Sequence, residues 1–235
     1  YKYRRKVISI RLMNSGFTAV DLRQTYGSKE ILKGCSLNAM RGECIGVAGR
    51  NGSGKSTFLS ILAGMKKPAS GTLSCFGRDL LADRKAFGEM IGYVPQTNPL
   101  LEELSAGDNL KLISGRSVPK TDPVLTRLKL DDLLHTRVAK LSGGMKRRLA
   151  IACALADRPP VLIMDEPTSA LDLYHKSVIY DYLKQYASEG GIVIMATHDI
   201  EEMELCNRLY LINNGVTSEV TPQEAVNTII KEDNT

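Results

Sequence analysis

The chain has 235 residues, of which 43% are hydrophobic and 24% charged, enough apolar material for a full core in one or two compact units. Its longest apolar runs fall far short of a membrane span, and no secretory signal pattern is apparent at its start. The net charge of +5 is local: residues 1–15 carry Lys2, Arg4, Arg5, Lys6 and Arg11 and no acid, while the rest of the chain balances 26 bases against 26 acids. Residues 1–15 therefore read as a basic N-terminal extension, either a solvated tail or a contact for anionic lipid headgroups, and no nucleic-acid partner is expected. Five scattered cysteines (Cys35, Cys44, Cys75, Cys153, Cys206) contain no C-x-x-C pair, so neither a zinc site nor a disulfide framework is indicated, and a reducing compartment is the simplest setting.

Strand signals begin at Phe17–Val20 and resume at Ile31–Leu37, on either side of a turn at Tyr26-Gly27-Ser28. A second turn, Gly42-Glu43, precedes the apolar run Cys44–Ala48. These predict a small antiparallel β region leaning on a main sheet. From its position alone, Tyr26 suits two roles equally: an aromatic packed at a strand end, or a ring that stacks on a base.

Gly49-Arg50-Asn51-Gly52-Ser53-Gly54-Lys55-Ser56-Thr57 comes next, and fits the phosphate-loop pattern G-x-x-x-x-G-K-[ST]. Gly49, Gly52 and Gly54 let backbone N–H groups turn inward around an anion, Lys55 brings a mobile cation, and the Ser56 hydroxyl can ligate Mg²⁺. Thr57 is expected to open a helix whose N-terminus favours negative charge. Strand before and helix after, at Phe58–Ala63, are the context such a loop requires.

Beyond that helix, Gly71–Gly77 predicts a short strand, Asp79 to Glu89 a charged segment, and Ile91–Val94 a strand stopped by Pro95-Gln96. Residues 97–140 are richer in Leu, Lys and Asp with helix-like spacing, and Ser105 caps a helix start there. Leu141-Ser142-Gly143-Gly144-Met145 leads into a helix reaching Pro159-Pro160. Ser142 can cap it, and Gly143 and Gly144 leave its first N–H groups open to an anion. Lys146-Arg147-Arg148 in its next turn is compatible with a solvated face. Val161–Met164 suits a strand buried on both faces, and it delivers two adjacent carboxylates, Asp165 and Glu166, which fit a cation site better than a helix start. Ser169–Asp172 leads into a helix to about Ser188. Ile192–Ala196 is another buried strand, ending at Thr197-His198-Asp199. A hairpin, Leu209 to Val220, and a terminal helix close the chain. Gly49, Gln96, Asp165, Glu166 and His198 all lie just beyond strand ends, where open α/β sheets bind their ligands.

Taken together and in this order, the motifs resemble those of the nucleotide-binding subunit of an ATP-binding cassette (ABC) transporter, over roughly residues 16–220. Gly49–Thr57 resembles the family's Walker A, Gln96 its Q-loop, Leu141–Gly144 its signature, and Val161–Glu166 its Walker B with the catalytic glutamate. Ser169–Asp172 resembles the D-loop, His198 the switch histidine, and Tyr26 the adenine-stacking aromatic. The signature departs from the pattern at Met145, where glutamine is usual.

The resemblance implies an α/β fold: a P-loop NTPase core with a mainly parallel sheet, an antiparallel β subdomain, and a helical subdomain (about 97–150) inserted in a RecA-like core, all within 16–235. It implies a Mg²⁺-dependent ATPase. Tyr26, Gly49, Asn51, Gly52, Ser53, Gly54, Lys55, Ser56, Thr57 and Gln96 would bind ATP, with Ser142, Gly143 and Gly144 closing from a facing second cassette in a homo- or heterodimer. Ser56, Gln96 and Asp165 would serve the metal, and Glu166, His198 and Lys55 the chemistry. Transmembrane permease subunits would be separate chains, and the protein would lie in the cytoplasm, peripheral on the inner face of the cell membrane. Two alternatives stay open: a soluble cassette ATPase without a transport role, such as an iron–sulfur-cluster assembly component, and a nucleotide-gated module that does not turn over. The presence of Glu166 and His198 argues against the latter.

Overall fold

The computed structural model describes residues 16–115 and 117–233; the basic extension assigned to residues 1–15 lies outside them. Its strands are β1 Gly16–Tyr26, β2 Lys29–Met40, β3 Cys44–Ala48, β4 Ser70–Cys75, β5 Arg78–Asp79, β6 Ile91–Val94, β7 Val161–Asp165, β8 Ile192–Ala196, β9 Arg208–Asn213 and β10 Val216–Val220. Its helices are α1 Lys55–Leu62, α2 Arg84–Met90, α3 Ala106–Ser114, α4 Pro123–Arg127, α5 Gly143–Leu155, α6 Leu173–Ser188, α7 Ile200–Leu205 and α8 Pro222–Asp233. Among the described residues, no helix is long and apolar enough to cross a membrane.

The strands form two sheets. One is antiparallel, in the order β2-β1-β4-β5. The other has the order β10-β9-β3-β8-β7-β6, in which β9, β3, β8, β7 and β6 run parallel and β10 pairs antiparallel at one edge. This is an α/β fold with a mainly parallel sheet and a separate antiparallel one. Every residue of β3, β7 and β8 is buried, which explains their uninterrupted apolar sequences.

The pleat divides these side chains between two cores. Val161 and Ile163 of β7, with Ile192 and Ile194 of β8, pack toward Phe58, Leu59 and Leu62 of α1 and Phe17 and Leu22 of the antiparallel sheet. Leu162, Met164, Val193 and Met195 point the other way, toward Leu149 and Ile151 of α5, Ile179 and Leu183 of α6, and Leu110 and Leu125 of the helical segment. The sheet is therefore rigid on both faces, and the loops at the carboxyl ends of its strands are held in fixed relation.

Two boundaries differ from the sequence expectation. Helix α1 starts at Lys55, two residues before Thr57, because the left-handed Gly54 (φ 106°) already ends the loop and caps the helix. Helix α5 stops at Leu155, short of Pro159-Pro160, after a last turn in which Ile151, Ala152 and Leu155 are buried. A third expectation fails outright. Lys146-Arg147-Arg148 is not a solvated face: Arg148 is 2% exposed, and Arg147 is half-buried with its guanidinium facing the sheet ends.

Candidate functional site

The phosphate loop begins where β3 ends, and its first glycine is dictated by space. At Gly49 (φ 153°) a Cβ would stand 2.6 Å from Ser53 Oγ and 2.8 Å from the Ile212 carbonyl oxygen. The loop closes through the Ser53 N–H, which donates to the Arg50 carbonyl at 3.1 Å. No side chain caps the start of α1, so its first N–H groups remain available to an anion. Lys55 is 6% exposed, and its Nζ donates to the carbonyls of Gly49 at 2.7 Å and Arg50 at 3.0 Å. Burial pushes its ammonium below the usual lysine value, while the carboxylates of Glu166 and Asp165 pull the other way.

Opposite the loop, three side chains from three strand ends meet. Gln96, after β6, donates from Nε2 to Glu166 Oε2 at 3.0 Å. His198, after β8, places Nδ1 3.3 Å from Glu166 Oε1. Glu166 itself comes directly after β7, with its side chain 11% exposed against 54% for His198. Its backbone sits at φ 48°, a left-handed conformation that costs a residue with a Cβ about 1–3 kcal/mol and persists only where the surroundings impose it. Its N–H donates to the Ala196 carbonyl at 3.0 Å, which ties the ends of β7 and β8 together.

Asp165 is 3% exposed, and burial raises its carboxyl above the ordinary value, opposed by a hydrogen bond with Ser56 and by the Lys55 charge. A buried carboxylate beside a serine hydroxyl and a glutamine amide is a set of hard oxygen donors, and it fits a small divalent cation such as Mg²⁺. Among the described residues, no cluster of three or more His, Cys, Asp and Glu side chains offers an all-protein cage for a metal. The five cysteines are free, and burial raises Cys35, Cys75 and Cys153 to about 12, so they are inert thiols.

These groups enclose a cavity of about 500 Å³ lined by Tyr26, Ile31, Asn51, Gly52, Gly54, Lys55, Ser56, Thr57, Gln96, Glu166 and His198. Gly49, Ser53 and Asp165 do not line it. Tyr26 ends β1 with 45% exposure, and Lys66 donates to its hydroxyl and covers its ring at 4.0 Å from the centroid. Ser142, Gly143 and Gly144 are not part of this cavity. Ser142 Oγ caps α5 by accepting the Met145 N–H at 3.2 Å, and lies 3.4 Å from His175 Nε2. A Cβ at Gly143 would meet nothing within 4 Å, whereas one at Gly144 would strike the His175 ring at 1.8 Å.

Three residues that support the site carry no signal in the sequence. Arg147 donates to the backbone carbonyls of Pro95, Asp165, Glu166 and Pro167. Glu202 of α7, 2% exposed, accepts the Thr168 N–H at 3.0 Å and the Thr168 hydroxyl at 2.5 Å, and burial raises its carboxyl above the usual value. His175 backs the start of α5.

A glycine-rich loop between a buried parallel strand and a helix, facing two consecutive carboxylates at the end of a second parallel strand, defines a P-loop nucleoside triphosphatase. The comparisons with known proteins place it further. The family model described as ABC transporter matches residues 32–169. The Nod factor export ATP-binding protein I of Rhizobium etli is 34% identical over 229 residues, which span 94% of this chain and 72% of that protein. The protein of the same name from Bradyrhizobium diazoefficiens is 36% identical over 214 residues, 86% of this chain and 70% of its own length. Among solved structures, a dimeric ATP-binding cassette in a post-hydrolysis state with ADP and phosphate bound superposes with a TM-score of 0.78 at 28% identity, covering 88% of this chain and 98% of that one. A chain from Clostridium perfringens, described as part of an ABC transporter complex, gives a TM-score of 0.78 at 30% identity over 94% of this chain and 95% of its own. The chain belongs to the ABC transporter family, as an ATP-binding and ATP-hydrolysing subunit.

Proposed function

We propose that this subunit works as a head-to-tail pair of cassettes, with Mg²⁺, and drives separate membrane-spanning permease subunits from the cytoplasmic face of the membrane. The observation that carries the catalytic part is the meeting of Gln96 and His198 on the two oxygens of Glu166, across one cavity from Lys55. In this reading the loop N–H groups and Lys55 hold the β- and γ-phosphates, and Tyr26 stacks on adenine. Ser56, Asp165 and Gln96 hold Mg²⁺, which when bound supplies charge neutralisation on the phosphate oxygens. Glu166 orients and polarises the attacking water, and His198 contacts the γ-phosphate. Little covalent chemistry falls to the protein; positioning and charge stabilisation supply the rate. The partner's Ser142, Gly143 and Gly144 bring the N–H donors of a helix start to the same phosphate.

The permease part is supported by an open apolar groove of about 560 Å³ on the outer face, where Met65, Phe87 and Tyr93 of the core meet Pro99 and Ile113 of the helical segment. Met65 is 67% exposed and Ile113 47%, and apolar side chains left open this way suit a short apolar element of a membrane partner. This groove favours the transport reading over a soluble cassette ATPase. The test is Glu166→Gln, which keeps shape and hydrogen-bonding reach but removes the base. It is expected to bind ATP, to lose turnover and to run as an ATP-dependent dimer on gel filtration. Turnover at the unmodified rate would overturn the assignment of Glu166, and absence of any membrane protein from detergent pull-downs of the native complex would overturn the transport reading.

A further inference from the structure

The structure assigns to Arg147 the task of positioning Glu166, and of tying it to the helix that carries Ser142, Gly143 and Gly144. The inference rests on the proposed reading of Glu166 as the residue that polarises water.

The guanidinium reaches out of α5, one turn beyond Gly144, into the space between the ends of β6 and β7. Nη1 donates to the carbonyl of Pro95 at 2.5 Å, Nε to that of Pro167 at 2.9 Å, and Nη2 to those of Asp165 at 2.6 Å and Glu166 at 3.0 Å. Pro95 immediately precedes Gln96. Asp165 and Pro167 flank Glu166. One rigid fork therefore fixes the backbone on both sides of the Gln96–Glu166 contact.

The peptide units it holds are those that most need holding. Glu166 has left the strand conformation for φ 48°, and its carbonyl has no strand partner to replace the lost ladder. Nη2 bridges the carbonyls on both sides of that turn. With the turn fixed, the carboxylate is aimed at Gln96 and His198; with it free, a residue with a Cβ relaxes toward negative φ and the carboxylate swings away. Because the fork is anchored in α5, any displacement of the start of that helix pulls on the same four carbonyls. Engagement of Ser142–Gly144 by a facing subunit is thus sensed by the chain's own Glu166.

Arg147 touches none of the phosphate loop, so its loss is read in turnover and not in ATP affinity. The test compares Arg147→Lys, which keeps charge and length but loses the fork, and Arg147→Gln, which loses both, with the unmodified full chain and with Glu166→Gln. Arg147→Lys is expected to lower kcat at least tenfold while KM and ATP affinity stay within threefold and the urea midpoint stays near that of the unmodified chain; Arg147→Gln is expected to lower kcat at least as far. A folded Arg147→Lys with kcat within twofold overturns the inference. So does a kcat loss matched by an equal loss of ATP affinity, or an Arg147→Lys chain that does not fold, since each makes Arg147 a general strut. If Glu166→Gln turns over normally, the reading of Glu166 fails first; if it is dead and Arg147→Lys is unimpaired, the inference alone fails.

Discussion

Replacing Gly144 by alanine sets two opposed effects against each other, and the geometry decides the outcome. The added Cβ would lie 1.8 Å from His175 Cδ2, 2.2 Å from Cγ and 2.6 Å from Nε2, so the ring must swing aside or the first turns of α5 and α6 must separate. Overpacking of this kind costs about 1–3 kcal/mol. Against it, alanine is about 0.8–1 kcal/mol better than glycine in a helix. Gly144 lies inside α5 and outside the left-handed region, so that gain is accessible. The net expectation is a loss of up to about 2 kcal/mol, which in a chain of this size is roughly 2–4 °C of Tm per kcal/mol. With the ring removed first, only the helix preference remains. In a His175→Ala background the same substitution should therefore stabilise, by up to about 1 kcal/mol. Urea unfolding of the four proteins, monitored by circular dichroism, gives the coupling directly, and any cost of losing the His175 contact with Ser142 cancels in the cycle. If Gly144→Ala has the same sign in both backgrounds, or the coupling falls below about 0.5 kcal/mol, the packing of His175 against the start of α5 is not what constrains this position.

The buried carboxyls lead to two more expected outcomes. Stripping divalent cations with a chelator should abolish ATP turnover and returning Mg²⁺ should restore it, because buried Asp165 and the Ser56 hydroxyl stand together as oxygen donors for the cation; turnover that persists in excess chelator would refute their assignment to the metal. Glu202 has a folded pKa raised by burial, so the unfolded chain releases this proton first, and the stability it contributes is full below about 4.3 and declines as pH rises from there through its raised folded value. The unmodified chain should thus lose urea stability relative to Glu202→Gln across that rise, and a difference between the two that is flat with pH would refute the buried-carboxyl account.

The parallel core was legible because β3, β7 and β8 are buried on both faces, and such strands leave uninterrupted apolar runs such as Val161–Met164. The residues at their carboxyl ends were legible for the same reason: once the strands are parallel, the first residues beyond each strand share one edge of the sheet. The scaffolding of those ends could not be read. The partners of Arg147 are backbone carbonyls at residues 95 and 165–167, and a carbonyl has no letter in the sequence. An Arg beside a Lys and another Arg in the first turns of a helix has every appearance of a solvated face. Glu202 was hidden in the same way, since its partners are an amide and a hydroxyl of Thr168, 34 residues earlier. Tyr26 was placed at a strand end, yet nothing local foretold that Lys66 would lie over its ring.

The departure at Met145 can be weighed from the cap it belongs to. Ser142 uses the backbone N–H of residue 145, at 3.2 Å, and not its side chain, so the cap is indifferent to glutamine or methionine there. The Met145 side chain packs against the core that also holds Leu149, which is a task a thioether performs as well as an amide stem. The Ser142 oxygen that accepts this N–H still carries its own proton, and Ser142 and Gly143 are exposed. A hydroxyl polarised as an acceptor at a helix N-terminus, beside an open glycine N–H, is a donor pair suited to phosphate oxygens. Yet the cavity at Lys55 of the same chain is lined without Ser142–Gly144. One chain therefore holds the Lys55 cavity and, apart from it, an exposed set of donors at the start of α5. In the head-to-tail pair proposed above, the two patches would satisfy each other across a closed two-fold interface, giving two complete sites per pair. Under that arrangement the Arg147 fork, which joins α5 to the carbonyls at Pro95 and Asp165–Pro167, would link the two sites of the pair through each subunit as well as across the interface.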